Sequence, residues 1–297
     1  MAEGDIAMPL RRLRSPGILR TMRIDGWSMM LLPLLVFLAA AFLYPLLYMV
    51  FRSVPDLSLS NYARIFSTPV YLNVLFTTFK VSAIVTAACL LLGYPYAYML
   101  THARGTLLTI LTIALFLPFW VSILLRTFSW LMLLQDTGII NRALLDWGAI
   151  EKPIPLARNL IGVAIAMVHI LLPFMVLPVA SVMRGVKSSY MEAASICGAA
   201  PARCFFKVYL PLTMPGVLAG AVLTFTLSLG FYITPTILGG ARDTMIAQLI
   251  ADQISKQVNF AFSSALAVVL ILFTAALFAV LGLVLALGKR REREVGK

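Results

Sequence analysis

Long apolar stretches alternate with short polar ones along most of the chain. Each apolar stretch reaches the ~20 residues that an α-helix needs to cross the hydrocarbon core of a membrane. We predict six transmembrane helices, at approximately 29–51, 72–100, 106–134, 159–183, 214–237 and 262–288. The first stretch exceeds the apolar core of a cleavable signal peptide, so we expect it to be retained. The pattern predicts an all-α integral membrane protein.

Composition and charge support this class and add an orientation. Aliphatic, aromatic and cysteine residues make up 61% of the 297 positions, and the mean hydropathy is +0.95. Fifteen Lys and Arg residues fall in the tail 1–28, the turn 101–105, the loop 183–213 and the tail 289–297, against seven in the opposite loops. The positive-inside rule therefore places the loop 183–213 and both basic tails, which flank the transmembrane domain 29–288, in the cytoplasm.

The loop 183–213 carries helix signals of its own. Ser189 and Glu192 have the S-x-x-E spacing of a capping box, which predicts a helix start. Gly198 can end that helix, and Pro201 suits the first turn of a second one. Pro211 and Pro215 punctuate the residues that follow. We predict two short helices, joined at a glycine, that dock onto another protein.

Small residues recur at every fourth position of the fifth apolar segment. Such a face lets another helix approach closely, and helix packing is the main interpretation, with a pore-lining role compatible with it. The face consists of Gly216, Gly220, Thr224 and Ser228.

The chain carries no signature of catalysis. The nearest approach to a phosphate-binding P-loop, Gly288-Lys289-Arg290, lacks the Ser or Thr after the lysine and the required glycine spacing. The three cysteines and two histidines lack the spacing of metal ligands, and no basic soluble module suggests nucleic acid. We expect a protein that is not an enzyme, with no metal and no cofactor of its own.

The loop 183–213 resembles a motif of a known family. Its residues match the EAA loop of ABC-importer permeases, with valine where isoleucine is usual: Glu192, Ala193, Ala194, Gly198, Val208, Leu210 and Pro211. Further segments between residues 57 and about 250 resemble the spermidine/putrescine-type branch. They include LSLSNYARIF at 57–66, LPFWVSILLRTFSW at 117–130 and FYITPTILGG at 231–240.

The resemblance implies a fold and a set of partners. It implies the type I importer fold with core helices two to six, a second permease subunit, expected as a heterodimer, and a periplasmic substrate-binding protein. Two cytoplasmic ATPase subunits, which hold ATP and Mg, complete the implied assembly. The residues that couple to an ATPase are then Glu192, Ala193, Ala194, Gly198, Arg203, Lys207, Leu210 and Pro211.

The sequence says less about the identity of the solute than about the family. Polyamine carriers of this branch often place an acidic residue after the glycine of the fifth helix, where this chain has Phe231 after Gly230, and the six apolar segments contain no Asp or Glu. A polycation then needs aromatic faces, whereas Lys80 and Arg126 fit an anionic or zwitterionic solute. The candidate substrate path comprises Trp120, Arg126, Phe231, Tyr232 and Thr234.

Two readings therefore compete with polyamine import. One is an importer permease for an anionic or other solute. The other is a stand-alone secondary transporter, which commonly carries its own intramembrane carboxylate or an inverted repeat. The absence of Asp and Glu from the apolar segments counts against a proton-coupled version of the second.

Overall fold

The computed structural model describes the backbone of residues 26–295 and the side chains of residues 31–283. The basic tail 1–28 lies almost wholly outside this range, as do the side chains of the tail 289–297. Within the range there are thirteen α-helices and no strand. They are α1 (Gly26–Ser53), α2 (Ser60–Ser67), α3 (Pro69–His102), α4 (Gly105–Phe116), α5 (Ile123–Leu134), α6 (Ile139–Asp146), α7 (Leu160–Arg184), α8 (Ser188–Ile196), α9 (Pro201–Cys204), α10 (Leu210–Leu229), α11 (Ile233–Leu238), α12 (Ile246–Ser255) and α13 (Phe260–Val295).

The number of membrane-length helices agrees with the sequence prediction. Six helical stretches of the described chain are long and apolar enough to cross a membrane: Leu31–Ser53, Pro69–His102, Ile123–Asp146, Leu160–Arg184, Pro201–Leu229 and Phe260–Leu283. The prediction of an all-α membrane protein with six such helices is confirmed.

The chain divides into two compact units. The first ends at Tyr48 and, among the described residues, consists of the larger part of α1. Its apolar side chains are exposed, including Phe37 and Phe42. Exposed apolar side chains all round a helix are expected where the solvent is lipid.

The second unit, residues 49–297, is organised around α7. This helix begins at the N-cap Asn159, whose side chain accepts hydrogen bonds from the backbone N–H groups of Ile161 and Gly162. It packs against α3 and α10, which also pack against each other. Because glycine has no Cβ, α10 lies directly against α7 at two positions. A Cβ on Gly216 would lie 2.9 Å from the Val182 Cβ, and one on Gly220 would lie 2.9 Å from the Met175 carbonyl oxygen.

A cluster of buried apolar side chains lies at the end of the unit opposite the 183–213 loop. It joins α2, α3, α12 and α13 around the buried Phe262. The Thr78 hydroxyl accepts a hydrogen bond from the Ile246 backbone N–H at 2.8 Å, which ties α12 to α3. Arg64 lies over the Phe262 ring at 4.6 Å.

Two predicted helices are broken in the structure. The segment predicted at 106–134 splits into α4 and α5, because a 3₁₀ turn at Leu117–Trp120 and extended backbone at Val121 intervene. Pro118 lacks the N–H that would continue the α-helix. The segment predicted at 214–237 ends at Leu229, and Gly230–Tyr232 separate it from α11.

Candidate functional site

The first candidate site is the 183–213 loop, whose first helix ends at a glycine turn. Gly198 has φ of 79°, in the left-handed region that glycine adopts without steric cost. Its backbone N–H donates to the Ser195 carbonyl at 2.9 Å, and the Ala199 N–H donates to the Ala194 carbonyl at 3.1 Å. These two bonds form a Schellman motif, which caps α8 and reverses the chain.

The start of α8 differs from the prediction. The helix begins at Ser188 after the N-cap Lys187, and no side chain caps it. Ser189 therefore already has helical backbone, and the predicted capping box with Glu192 is wrong. The nearest side-chain bond runs from the Ser195 hydroxyl to the Glu192 carbonyl at 2.7 Å.

The second helix of the loop is not a separate short helix. Pro201 begins α9 as predicted, and a π-helical turn at Phe205–Tyr209 then leads without interruption into α10. Pro211 lies just after the π-helical turn and Pro215 lies one turn further on, so both prolines are inside the helix and leave carbonyls of the preceding turn without an N–H donor. One continuous helix, Pro201–Leu229, therefore runs from the loop across the bundle.

An aromatic cluster fastens the loop to the end of α3. Tyr98 lies edge-on to Phe205 and Tyr209, with ring centroids 6.3 and 5.7 Å apart. The Tyr94 hydroxyl lies 3.0 Å from that of Thr213, which already donates to the Leu210 carbonyl, so Tyr94 is the donor. Sequence reasoning missed this cluster. Its signal was the spacing of four between Tyr94 and Tyr98, which places both on one face of α3.

The outer side of the loop exposes both charge and apolar surface. Glu192, Arg203 and Lys207 are exposed, and no ion pair reaches them among the described residues. Ile196 is 86% exposed and Phe206 63% exposed. These two large apolar side chains were absent from the predicted set, although their position in the loop could have indicated them. Exposed apolar groups rimmed by charge mark a protein-binding surface.

The remaining residues of the predicted coupling set divide by burial. Ala194 and Leu210 are half-buried, whereas Ala193, Gly198 and Pro211 are exposed. A groove of about 510 Å³ lies between α8 and the ends of α3 and α7, and its lining residues include His102, Arg184, Lys187, Glu192 and Tyr209.

The second candidate site is a cavity of about 230 Å³ between α5, α7 and the end of α10. It lies beside the break between α4 and α5, and its wall includes Phe119, Arg126, Phe174 and Phe231. The break brings Phe119 to this wall, where its ring is 5.5 Å from that of Phe174. Sequence analysis did not select Phe119 or Phe174.

The structure brings together only two of the five predicted path residues. Arg126 and Phe231 line the cavity. Trp120 is 88% exposed and Tyr232 48% exposed, and neither belongs to the cavity wall. Thr234 is buried, and its hydroxyl lies 3.2 Å from that of Thr127, which ties α11 to α5.

The predicted small-residue face of α10 is buried along its whole length. Gly216 and Gly220 lie against α7, as described above, and Thr224 and Ser228 are fully buried. The two hydroxyls have no hydrogen-bond partner among the described side chains and backbone. In this structure the face therefore belongs to the helix packing rather than to the cavity wall.

Possible metal ligands are dispersed. Within the described residues, no three His, Cys, Asp or Glu side chains come close enough together to hold a metal ion. Of the two histidines, His169 accepts a hydrogen bond from the Trp130 indole at 3.2 Å, and His102 stacks on Tyr98 with centroids 4.1 Å apart.

Known proteins are similar to this chain in sequence and in fold. A family described as binding-protein-dependent transport system inner membrane component matches residues 17–293. The spermidine/putrescine transport system permease protein PotB of Haemophilus influenzae is 34% identical over 221 residues, which are 74% of this chain and 77% of that protein. PotB of Escherichia coli K12 is 33% identical over 240 residues, which are 81% of this chain and 84% of that protein.

A solved structure has the same architecture. A chain of a bacterial alginate ABC transporter, crystallised in complex with an alginate pentasaccharide-bound periplasmic protein, superimposes with a TM-score of 0.64. The match covers 84% of this chain and 92% of that chain at 15% identity. At this identity the match concerns the fold alone, and it confirms the predicted ABC-importer permease fold.

Proposed function

We propose a role in the import of small organic amines for this chain, which belongs to the family of binding-protein-dependent transport system inner membrane components. The chain is a multi-pass inner-membrane protein and a transport subunit rather than an enzyme. Membership implies a partner permease, an ATPase and a substrate-binding protein. The specific solute, the stoichiometry and the docking residues belong to the proposal.

Polyamines are the first candidates for the solute. The observation that carries this choice is the 33–34% identity to two proteins named for spermidine and putrescine, over most of each chain. Three phenylalanine rings in the cavity wall, Phe119, Phe174 and Phe231, support it, whereas Arg126 in the same wall favours an anion. Aromatic faces attract ammonium groups, and the attraction strengthens where water is excluded.

The 183–213 loop is the proposed docking element for an ATPase subunit. Its outer side offers Ile196 and Phe206 as apolar anchors and Glu192, Arg203 and Lys207 as exposed charges. The proposed side of the membrane is the cytoplasm, where ATP is available, and the excess of Lys and Arg in the loop and the two tails supports this orientation. We further propose one second permease, forming a heterodimer with this chain, two ATPase subunits that hold ATP and Mg, and one periplasmic binding protein.

Transmission from the loop to the cavity follows the continuous helix Pro201–Leu229. The loop end of this helix is held to α3 by the aromatic cluster, and Leu227 near its other end lines the cavity with Phe231. Closure of two ATPase subunits would move the loop, and the rigid helix would carry the movement to the cavity wall. Alternating access in this proposal is the opening of the cavity to one side of the membrane at a time.

Reconstitution tests the proposal. The complete importer, purified with its binding protein and placed in liposomes, should take up labelled putrescine or spermidine only when ATP is supplied. Liposomes that hold this chain and its partner permease without the ATPase should show no uptake. Uptake by this chain alone, without ATP, would identify a secondary transporter and overturn the proposal. Uptake of an anion but of no amine would retain the importer and reject the solute.

A charge reversal tests the docking element. Glu192→Lys should leave the chain in the membrane but reduce the amount of ATPase that copurifies with it, because the exposed carboxylate lies on the docking surface. Glu151→Lys is the matched control, since Glu151 is also exposed but lies in the connection between α6 and α7, at the other end of the unit. Equal ATPase recovery from both variants would count against docking through Glu192.

A further inference from the structure

Arg126 lies at mid-depth in the bundle. It lines the cavity together with Ile170 and Phe174, which stand on either side of the midpoint of the 25-residue helix α7. A helix of this length just exceeds the ~30 Å of the hydrocarbon core, so its midpoint lies near the bilayer centre. Among the described side chains that line the cavity, only Arg126 carries a charge. An ionisable group at this depth marks a functional site, and its charge is satisfied by a counter-charge, by backbone carbonyls or by water.

The counter-charge is not supplied by the described part of this chain. No hydrogen bond or ion pair reaches the Arg126 side chain there, and its Nε is buried without a partner. His169 interacts electrostatically with Arg126, but an imidazole is neutral or cationic and supplies no negative charge. The Trp130 indole donates to His169 Nδ1 at 3.2 Å, and an indole N–H can only donate. Nδ1 therefore carries no proton, and the imidazole is neutral.

The cavity is open beside Arg126. Phe119, in its wall, is 45% exposed. On α5, the neighbouring Leu125 and Phe128 are 61% and 50% exposed. Lipid tails can cover the apolar side chains, but they offer no anion to a guanidinium. A protein surface that carries a carboxylate covers the apolar side chains and also supplies an anion to the guanidinium.

We infer that the second permease subunit places an intramembrane Asp or Glu side chain against Arg126 and closes the cavity. The charge complementarity selects this occupant over lipid, and Arg is suited to it because its planar fork binds a carboxylate through two parallel hydrogen bonds. The inference rests on the proposed function, in which this chain works beside a second permease. It adds where the two meet and which group the partner contributes.

The same carboxylate can also act as a ligand for the solute. The six apolar segments of this chain contain no Asp or Glu, and a carboxylate beside the aromatic rings would bind a polyamine more strongly in a low-dielectric path than the rings alone. A partner carboxylate held by Arg126 provides that ligand at the cavity. An arriving ammonium group then competes with the guanidinium for it.

Cross-linking provides the direct test. In the complete importer, with the exposed Cys197 replaced by serine, Arg126→Cys is paired with a Cys substitution at each intramembrane Asp or Glu of the second permease. A short bifunctional thiol reagent that spans the length of the lost guanidinium is required, because a disulfide closes only when the Cα atoms lie within about 7 Å. We expect one pair to cross-link at least tenfold more than the same partner substitutions paired with Leu272→Cys, because Leu272 is exposed on α13 and does not line the cavity. The absence of any such pair, or of any intramembrane Asp or Glu in the second permease, would overturn the inference.

Charge exchange provides a test through transport. Arg126→Glu should lower ATP-dependent uptake at least tenfold, and Arg126→Lys should lower it less. Replacing the partner's cross-linked carboxylate by arginine should restore the uptake of Arg126→Glu to within threefold of wild type. Failure of this rescue, or normal uptake by Arg126→Gln, would overturn the inference. Wild-type uptake of an amine in the same liposomes tests the proposed function separately.

Discussion

Gly198 offers the sharpest test of the docking loop, because its contribution is confined to the backbone. At φ of 79° an L-residue lies in the left-handed region, and no heavy atom within 4 Å would meet an added Cβ. Gly198→Ala therefore introduces backbone strain of about 1–2 kcal/mol and no clash within this chain. That strain opposes the two hydrogen bonds of the Schellman motif, and it should lower the ratio of correctly turned to unturned loops by a factor of about 5–30.

The assay is the ATPase activity of the reconstituted importer, stimulated by the loaded binding protein. Gly198→Ala should lower this activity, and Gly198→Asn should lower it less, because asparagine tolerates the left-handed region better than alanine. Gly198→Trp separates strain from docking. If it is worse than Gly198→Ala, the bulk of the indole meets the ATPase, and if the two are equal, the backbone alone matters.

Gly105→Ala is the matched control for Gly198. Gly105 also has positive φ, 58°, and open space around its Cβ position, but it begins α4 outside the loop. Its substitution should lower thermal stability by a similar amount and leave the coupled ATPase activity per folded complex unchanged. The reasoning is refuted if Gly198→Ala retains full stimulated activity, or if the two alanine variants lose it equally.

Three further predictions concern packing and capping, and each is read from thermal unfolding of the purified protein in detergent. Gly220→Ala should lower the free energy of unfolding by about 1–3 kcal/mol, because the added Cβ would press on Met175. Gly282→Ala is the control and should be nearly neutral, because a Cβ there meets nothing within 4 Å. Equal effects of the two substitutions would contradict the close approach of α10 to α7. Asn159→Ala should cost about 1 kcal/mol through loss of the N-cap of α7, and Asn159→Ser should recover most of it, so equal melting temperatures for the two would argue against capping. Tyr94→Phe should cost about 1 kcal/mol by removing the hydrogen bond to Thr213, and an unchanged melting temperature would show that this bond adds no stability.

Hydrophobic pattern and turn chemistry predicted much of this protein because both act over short distances. Membrane-length apolar runs are a property of the local sequence, since each helix satisfies its own backbone hydrogen bonds in lipid. Gly198 and Pro201 were recognised because a helix end and a helix start depend on one residue each. The capping box failed for the same local reason, since α8 begins two residues earlier than a Ser189 cap requires and has Lys187 at the N-cap position.

The candidate sites could be predicted only in part because they combine distant segments. Arg126 and Phe231 were selected from sequence, but Phe119 and Phe174 complete the cavity only after α5 packs against α7. Likewise Tyr94 and Tyr98 meet Phe205 and Tyr209 only when the end of α3 lies beside the loop. The sequence pattern of α3 or of the loop, taken alone, does not predict the contact between them.

The sequence by itself determined the class of the protein, its six membrane-length helices, the family and the position of the 183–213 loop along the chain, because hydropathy and motifs are properties of consecutive residues. Tertiary structure decided where those helices break, how the loop continues into α10, and which side chains surround the cavity. It also showed that Arg126 has no anionic partner among the described residues. The physical reason is that a counter-charge, a cavity and a close helix approach are relations between surfaces that meet only on folding.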